Sequence, residues 1–135
     1  MYDYSIFWED IIINLILLVG MIVVIFVACR KWKIWCRVLL SLAVSVVLLG
    51  DSIYLYSIIR DPEIHEFNGQ FIKDKLYNGK SEYSFKVGNK TKYVYTGIYF
   101  ERNNNMELIE GETYRVAYKV AYDADNYMVA IRPLT

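Results

Sequence analysis

Residues 11–29, IIINLILLVGMIVVIFVAC, and residues 38–59, VLLSLAVSVVLLGDSIYLYSII, decide how the chain is read, because the protein that remains cannot cover them. A helix rises 1.5 Å per residue, so about 20 apolar residues cross the roughly 30 Å hydrocarbon layer of a bilayer. Both runs have that length. The first holds one strongly polar side chain, Asn14, and the second one carboxylate, Asp51, among a few serines. A surface helix of a soluble protein needs a polar face that these lack. The rest of a 135-residue chain is too little to wrap two helices that are apolar all round. The reading is a transmembrane helical hairpin within residues 1–60, with helices over 9–29 and 37–59 and a connector over 30–37.

Charge orients this hairpin. Arg30, Lys31, Lys33 and Arg37 crowd the connector, whereas residues 1–10 carry Asp3, Glu9 and Asp10 and no cation. Positive residues in short loops stay on the cytoplasmic side. Both termini are therefore expected outside a cytoplasmic membrane, and the wealth of Ile, Lys, Asn and Tyr suggests a bacterial one. Trp8, Trp32, Trp35, Tyr54 and Tyr56 fall where interfacial aromatic belts form, and Arg60 is a lone opposing cation. The acidic leading segment lacks the basic start of a removable signal peptide.

Inside the hairpin the polar and small residues are the candidates for a role. Counting from the connector, Asn14 and Asp51 reach nearly the same depth, about 24 and about 21 Å. An ionisable group there faces protein or water. The two are expected to pair, with a wetted, interfacial Asp51 as an equal alternative. Ser41, Ser45 and Ser52 share roughly one face of the second helix and Gly20 lies midway along the first, so these four are the expected helix-packing positions. Packing within the hairpin is the simpler arrangement; a second copy of the chain, giving a homo-oligomer, is the other. Cys29 and Cys36 flank the cytoplasmic connector, where a reducing compartment keeps thiols free.

From residue 61 the periodicity changes from helical to alternating. Residues 66–77, 81–87 and 92–100 read as a three-stranded meander, with turns at Asn78-Gly79 and Gly88-Asn89 and a bulge at Gly97. Residues 101–110 break the pattern. Met106, Leu108 and Ile109 could plug a barrel end from a short helical turn, before strands over 114–122 and 127–131 joined by the loop Asp123-Ala124-Asp125-Asn126. Three strands, an irregular connector and a two-stranded hairpin make the element order of a five-stranded OB-like barrel. The fold class expected is thus a membrane α-helical hairpin with a small all-β C-terminal domain over 61–135.

The segments GETYRVAY, residues 111–118, and AIRPL, residues 130–134, are similar to the last two strands of small OB-like domains in membrane proteins. In its order of parts, membrane helices and then a C-terminal barrel, the chain resembles the short members of the NfeD family. That resemblance implies a cytoplasmic barrel working beside membrane proteases and stomatin-like scaffolds, against the outward orientation read from charge.

Chemistry is sparse. His65 is the only histidine and stands between Glu63 and Glu66, the glycines punctuate turns, and residues 123–126 lack the later glycine and glutamate of a calcium loop. No catalytic set, cofactor site or metal site is expected. Ten Lys and Arg against eleven Asp and Glu from residue 61 onward argue against a basic nucleic-acid stripe, so nucleic acid is not expected as a partner. Of the tyrosines, Tyr95, Tyr99 and Tyr127 are the candidates for an exposed binding face. The function expected is non-enzymatic: a barrel held outside the cytoplasmic membrane that binds another membrane or extracytoplasmic protein, as an immunity factor or an accessory subunit. Regulation of membrane proteolysis and binding of an oligosaccharide or single-stranded nucleic acid are the alternatives.

Overall fold

A computed structural model describes residues 2–77, 80–122 and 124–134. The expected turn at Asn78-Gly79 and the Asp123 position of the last loop lie outside the described residues. The chain divides into two compact units, Trp8–Arg60 and a second made of Met1–Phe7 with Asp61–Thr135.

In the first unit, α1 (Ser5–Ala28, whose first turn belongs to the second unit) and α2 (Ile34–Arg60) are long and apolar enough to cross a membrane. The connector is shorter than the charge pattern implies. Residues 34–36 hold no Gly or Pro to stop a helix, so α2 begins at Ile34 and takes Arg37 into its first turns. The Arg37 Nη1 donates to the Phe26 carbonyl at 3.4 Å and the guanidinium lies 5.5 Å from that ring. Along α1 the less exposed positions include Ile11, Asn14, Leu18, Ile22 and Ile25; along α2 they include Ser41, Val44, Ser45, Leu48, Asp51, Ser52 and Leu55. Both series recur at spacings of three or four residues, the seam spacing of paired helices. Most other side chains are apolar and open, as at Val46, which is 72% exposed. Cys29 and Cys36 are free thiols.

The second unit is a closed five-stranded barrel of OB type. Its strands are β1 (His65–Tyr77), β2 (Lys80–Val87), β3 (Lys90–Thr96), β4 (Thr113–Ala121) and β5 (Asp125–Pro133), in the spatial order β1-β2-β3-β5-β4. Closure depends on β1, which pairs with β4 through its first half and with β2 through its second. The changeover falls at Gln70, which pairs with both, next to an irregularity between Phe71 and Lys73. Phe67, Phe71, Phe85, Val94, Tyr114, Val116 and Met128 fill the interior.

Two expectations about the connector change. The third strand ends at Thr96 rather than running to Phe100, and Gly97 is the N-cap of a short helix, α3 (Ile98–Asn104), instead of a bulge. The helix turns Phe100 into the fully buried plug of the barrel. Met106 and Leu108 pack against the same core, whereas Ile109 is exposed. The chain start is also tied down. Asp3 N–H donates to the Val129 carbonyl at 2.6 Å, and Val129 is the extra residue where β5 slips against β4.

Candidate functional site

The outward face of β1, β2 and β3 is built by register. Cross-strand partners in a sheet point to the same side, and here one row reads Lys73–Ser84–Tyr93 and the next Lys75–Glu82–Tyr95. Lys86 and Thr91 extend the face by one more row. Between this face and the turn ahead of β5 lies a cleft of about 460 Å³, lined among others by Lys75, Glu82, Tyr93, Tyr95 and Asn126. Asn126 holds its edge, its Nδ2 donating to the Tyr93 carbonyl at 3.1 Å. Lys75 pairs with the largely buried Glu82 carboxylate at 3.5 Å. Tyr93 presents its ring to solvent and is 47% exposed.

Of the tyrosines expected on a binding face, the structure brings only Tyr95 to the cleft. Tyr99 is exposed on α3, under the Arg102 guanidinium at 6.0 Å. Tyr127 is corrected: it is 5% exposed, its ring 5.1 Å edge-on from Phe7 and 6.3 Å from Tyr95. Tyr93, which is not among the three candidates, takes the exposed place. The available signal was that Tyr93 and Tyr95 alternate and so share one side of β3.

In the helical unit, Asn14 Nδ2 donates to Asp51 Oδ2 at 2.6 Å. Ser45 and Ser52 turn their hydroxyls back to the carbonyls of Ser41 and Leu48. Gly20 is corrected as a packing position within the hairpin, since a side chain there would meet nothing within 4 Å and the residue lies off the seam. Arg30, Lys31 and Lys33 occupy the tight connector, and Arg37 lies inside α2.

Two polar clusters brace the barrel. Glu101 on α3 accepts hydrogen bonds from Thr96 Oγ1 at 2.9 Å and Tyr83 Oη at 3.1 Å, fastening the plug helix to β2 and β3. Burial, and then the Glu101 charge, pushes the Tyr83 hydroxyl well above the usual phenol range. Lys119 is buried on the outer side of β4, donates to the Asp61 carbonyl and lies 5.2 Å from the Tyr4 ring. Burial lowers its pKa against the opposing pull of Asp61. Among the described residues no group of three or more His, Cys, Asp or Glu is placed to hold a metal.

No family model matches the chain, and no curated protein matches it. Solved structures share the barrel. The chain is similar to one in the Stn1-Ten1 complex of S. pombe, at 13% identity and TM-score 0.46, over 53% of this chain and 57% of that one. It is similar to one in a replication protein A heterotrimer bound to single-stranded DNA, at 13% identity, TM-score 0.41 and the same coverage. A third is in the tetrameric p202 HIN2, at 10% identity and TM-score 0.37, over 59% of this chain and 47% of that one. In each the chain spans well under two thirds of the other's length.

The expectation that excluded nucleic acid rested on overall neutrality, and the distribution of the charges corrects it. The argument from neutrality fails physically because the charges are segregated. Residues 70–96 carry Lys73, Lys75, Lys80, Lys86, Lys90 and Lys92 against Asp74 and Glu82, while the acidic excess sits in the connector at Glu101, Glu107, Glu110 and Glu112.

Proposed function

We propose that this chain is a membrane-anchored binding module, without a catalytic step of its own, whose barrel takes a single-stranded nucleic acid along the outward face of β1, β2 and β3. The observation that carries this reading is the placing of Tyr93 and Tyr95 in line with Lys73 and Lys75 across the meander. Rings stack on bases whatever their sequence, and ammonium groups neutralise phosphates. OB barrels bind oligomers on this face and with the loops that border it. The two apolar helices serve as the anchor, with the cationic connector inside and the barrel outside.

The test is fluorescence polarisation of the full chain in neutral detergent with a labelled oligothymidylate. Binding that weakens as salt rises is expected. Tyr93→Ala should remove about 1–3 kcal/mol, the worth of one stacked base. Unchanged affinity in a Tyr93→Ala, Tyr95→Ala double variant would sink the reading.

A second reading is a protein partner outside the membrane, of the immunity or accessory-subunit kind. It is favoured by apolar side chains left open on the barrel unit, Leu76 at 81%, Ile98 at 66% and Tyr99 at 53% exposed. Stable co-purification of a protein from native membrane, lost on Tyr99→Ser, would support it over the first. An NfeD-like role needs the opposite topology, which labelling of Cys29 and Cys36 from outside the cell would reveal.

A further inference from the structure

On the other side of the barrel, β4 and β5 place two arginines directly across from each other, Arg115 and Arg132. Like charges in that position repel, and neither has a carboxylate within ion-pair distance among the described residues. Among the described residues Arg115 is held only through Nε, which donates to Asn68 Oδ1 at 3.3 Å, so the outer edge of its fork stays open. The next row of the same face is Ala117 opposite Ala130, two side chains too small to fill the space beside the guanidiniums. A cavity of about 370 Å³ results, walled by both arginines and closed off by Tyr2 and Asn104. Asn104 is fixed there by donating to Asp3 Oδ2 at 3.0 Å and to the Phe100 carbonyl at 2.9 Å. Among the described residues Glu66 is the one carboxylate on the wall, so two guanidiniums stand against one anionic group.

We infer that this cavity is a binding site for a single phosphate-type oxyanion, clasped between the Arg115 and Arg132 forks. Paired guanidiniums match the oxygens of a phosphate bidentately, and the anion removes the repulsion that the bare pair carries. Glu66 disfavours a long polyanion and leaves room for one terminal phosphate. The site is separate from the β1–β3 cleft, so either can fail without the other. A lipid headgroup and a soluble phosphate share this chemistry.

The experiment is calorimetric titration of pyrophosphate into the full chain in phosphatidylcholine nanodiscs at fixed ionic strength. Saturable binding is expected, weakened at least about tenfold in R115Q/R132Q, the scale of one or two charge-assisted hydrogen bonds. Without pyrophosphate the glutamine pair should unfold no earlier than the parent, because the repulsion is gone. If it nevertheless fails to fold, R115K/R132K decides, since it keeps the charge and loses the fork; severalfold weaker binding is expected. Adding phosphatidic acid to the nanodiscs separates the sources. Lowered pyrophosphate affinity assigns the site to a lipid headgroup, and undiminished affinity to a soluble phosphate. No binding by the parent chain, equal binding by R115Q/R132Q, or equal binding by R115K/R132K overturns the site.

Discussion

At Gly69 a side chain has nowhere to go: a Cβ would lie 2.9 Å from both Phe67 Cε2 and Phe85 Cβ. Gly69 stands one residue before Gln70, where β1 passes from pairing with β4 to pairing with β2. Gly69→Ala should destabilise the barrel by about 1–3 kcal/mol, the usual penalty of overpacking a core. At about 4–8 °C per kcal/mol for a domain of this size, thermal unfolding followed by circular dichroism should show the loss; an unchanged midpoint would mean that the phenylalanines yield freely. The tyrosines show the limit of reading single residues. Alternation puts Tyr93 and Tyr95 on one side of β3, and that much is plain in the sequence. Which tyrosine is open was not legible, because Tyr127 is covered by Phe7, a residue 120 positions earlier.

At the scale of elements, the hairpin carries its polar residues on the seam. Asn14 and Asp51 meet because both lie at a similar distance from a connector that turns in a few residues, and depth is linear in residue number along a helix. A double-mutant cycle with Asn14→Leu and Asp51→Leu, read by unfolding of the hairpin in detergent, should give a coupling of about 0.6 kcal/mol and at most about 1.7, the range of interhelical hydrogen bonds in membrane proteins. A coupling of zero would mean that water serves both side chains equally well. Gly20 was read as a packing position on composition alone, and the seam passes it by. The plug helix illustrates the opposite error. Tyr95, Gly97 and Tyr99 continue the alternation of β3 on paper, yet the chain turns at Gly97 because Glu101 offers a carboxylate to Tyr83 and Thr96 from a helical turn.

At the largest scale, the barrel unit is stitched by the first residues of the chain. Asp3 accepts from Ser5 N–H at 2.9 Å and from Asn104 at 3.0 Å, while its own N–H reaches Val129. Burial alone would raise the pKa of this carboxyl, but the hydrogen bonds outweigh it and hold the group below its ordinary value of 3.8. A depressed folded-state pKa adds stability that is present above the unfolded value and disappears as pH falls through the folded one. Asp3→Asn should therefore lower the unfolding midpoint at neutral pH, and its gap to the parent should close as pH drops below about 4. A gap that stays constant down to about pH 2 would show that the charge of Asp3 does not matter. Sequence alone determined the two apolar helices, the basic connector, the five strands and their order, because these depend on periodicity and turn residues that act over a few positions. Only the tertiary structure decided the arginine pair, the burial of Tyr127, the plug at Phe100 and the anchoring of Asp3. Each of these depends on which distant strand becomes a neighbour when the barrel closes, and no local pattern carries that choice.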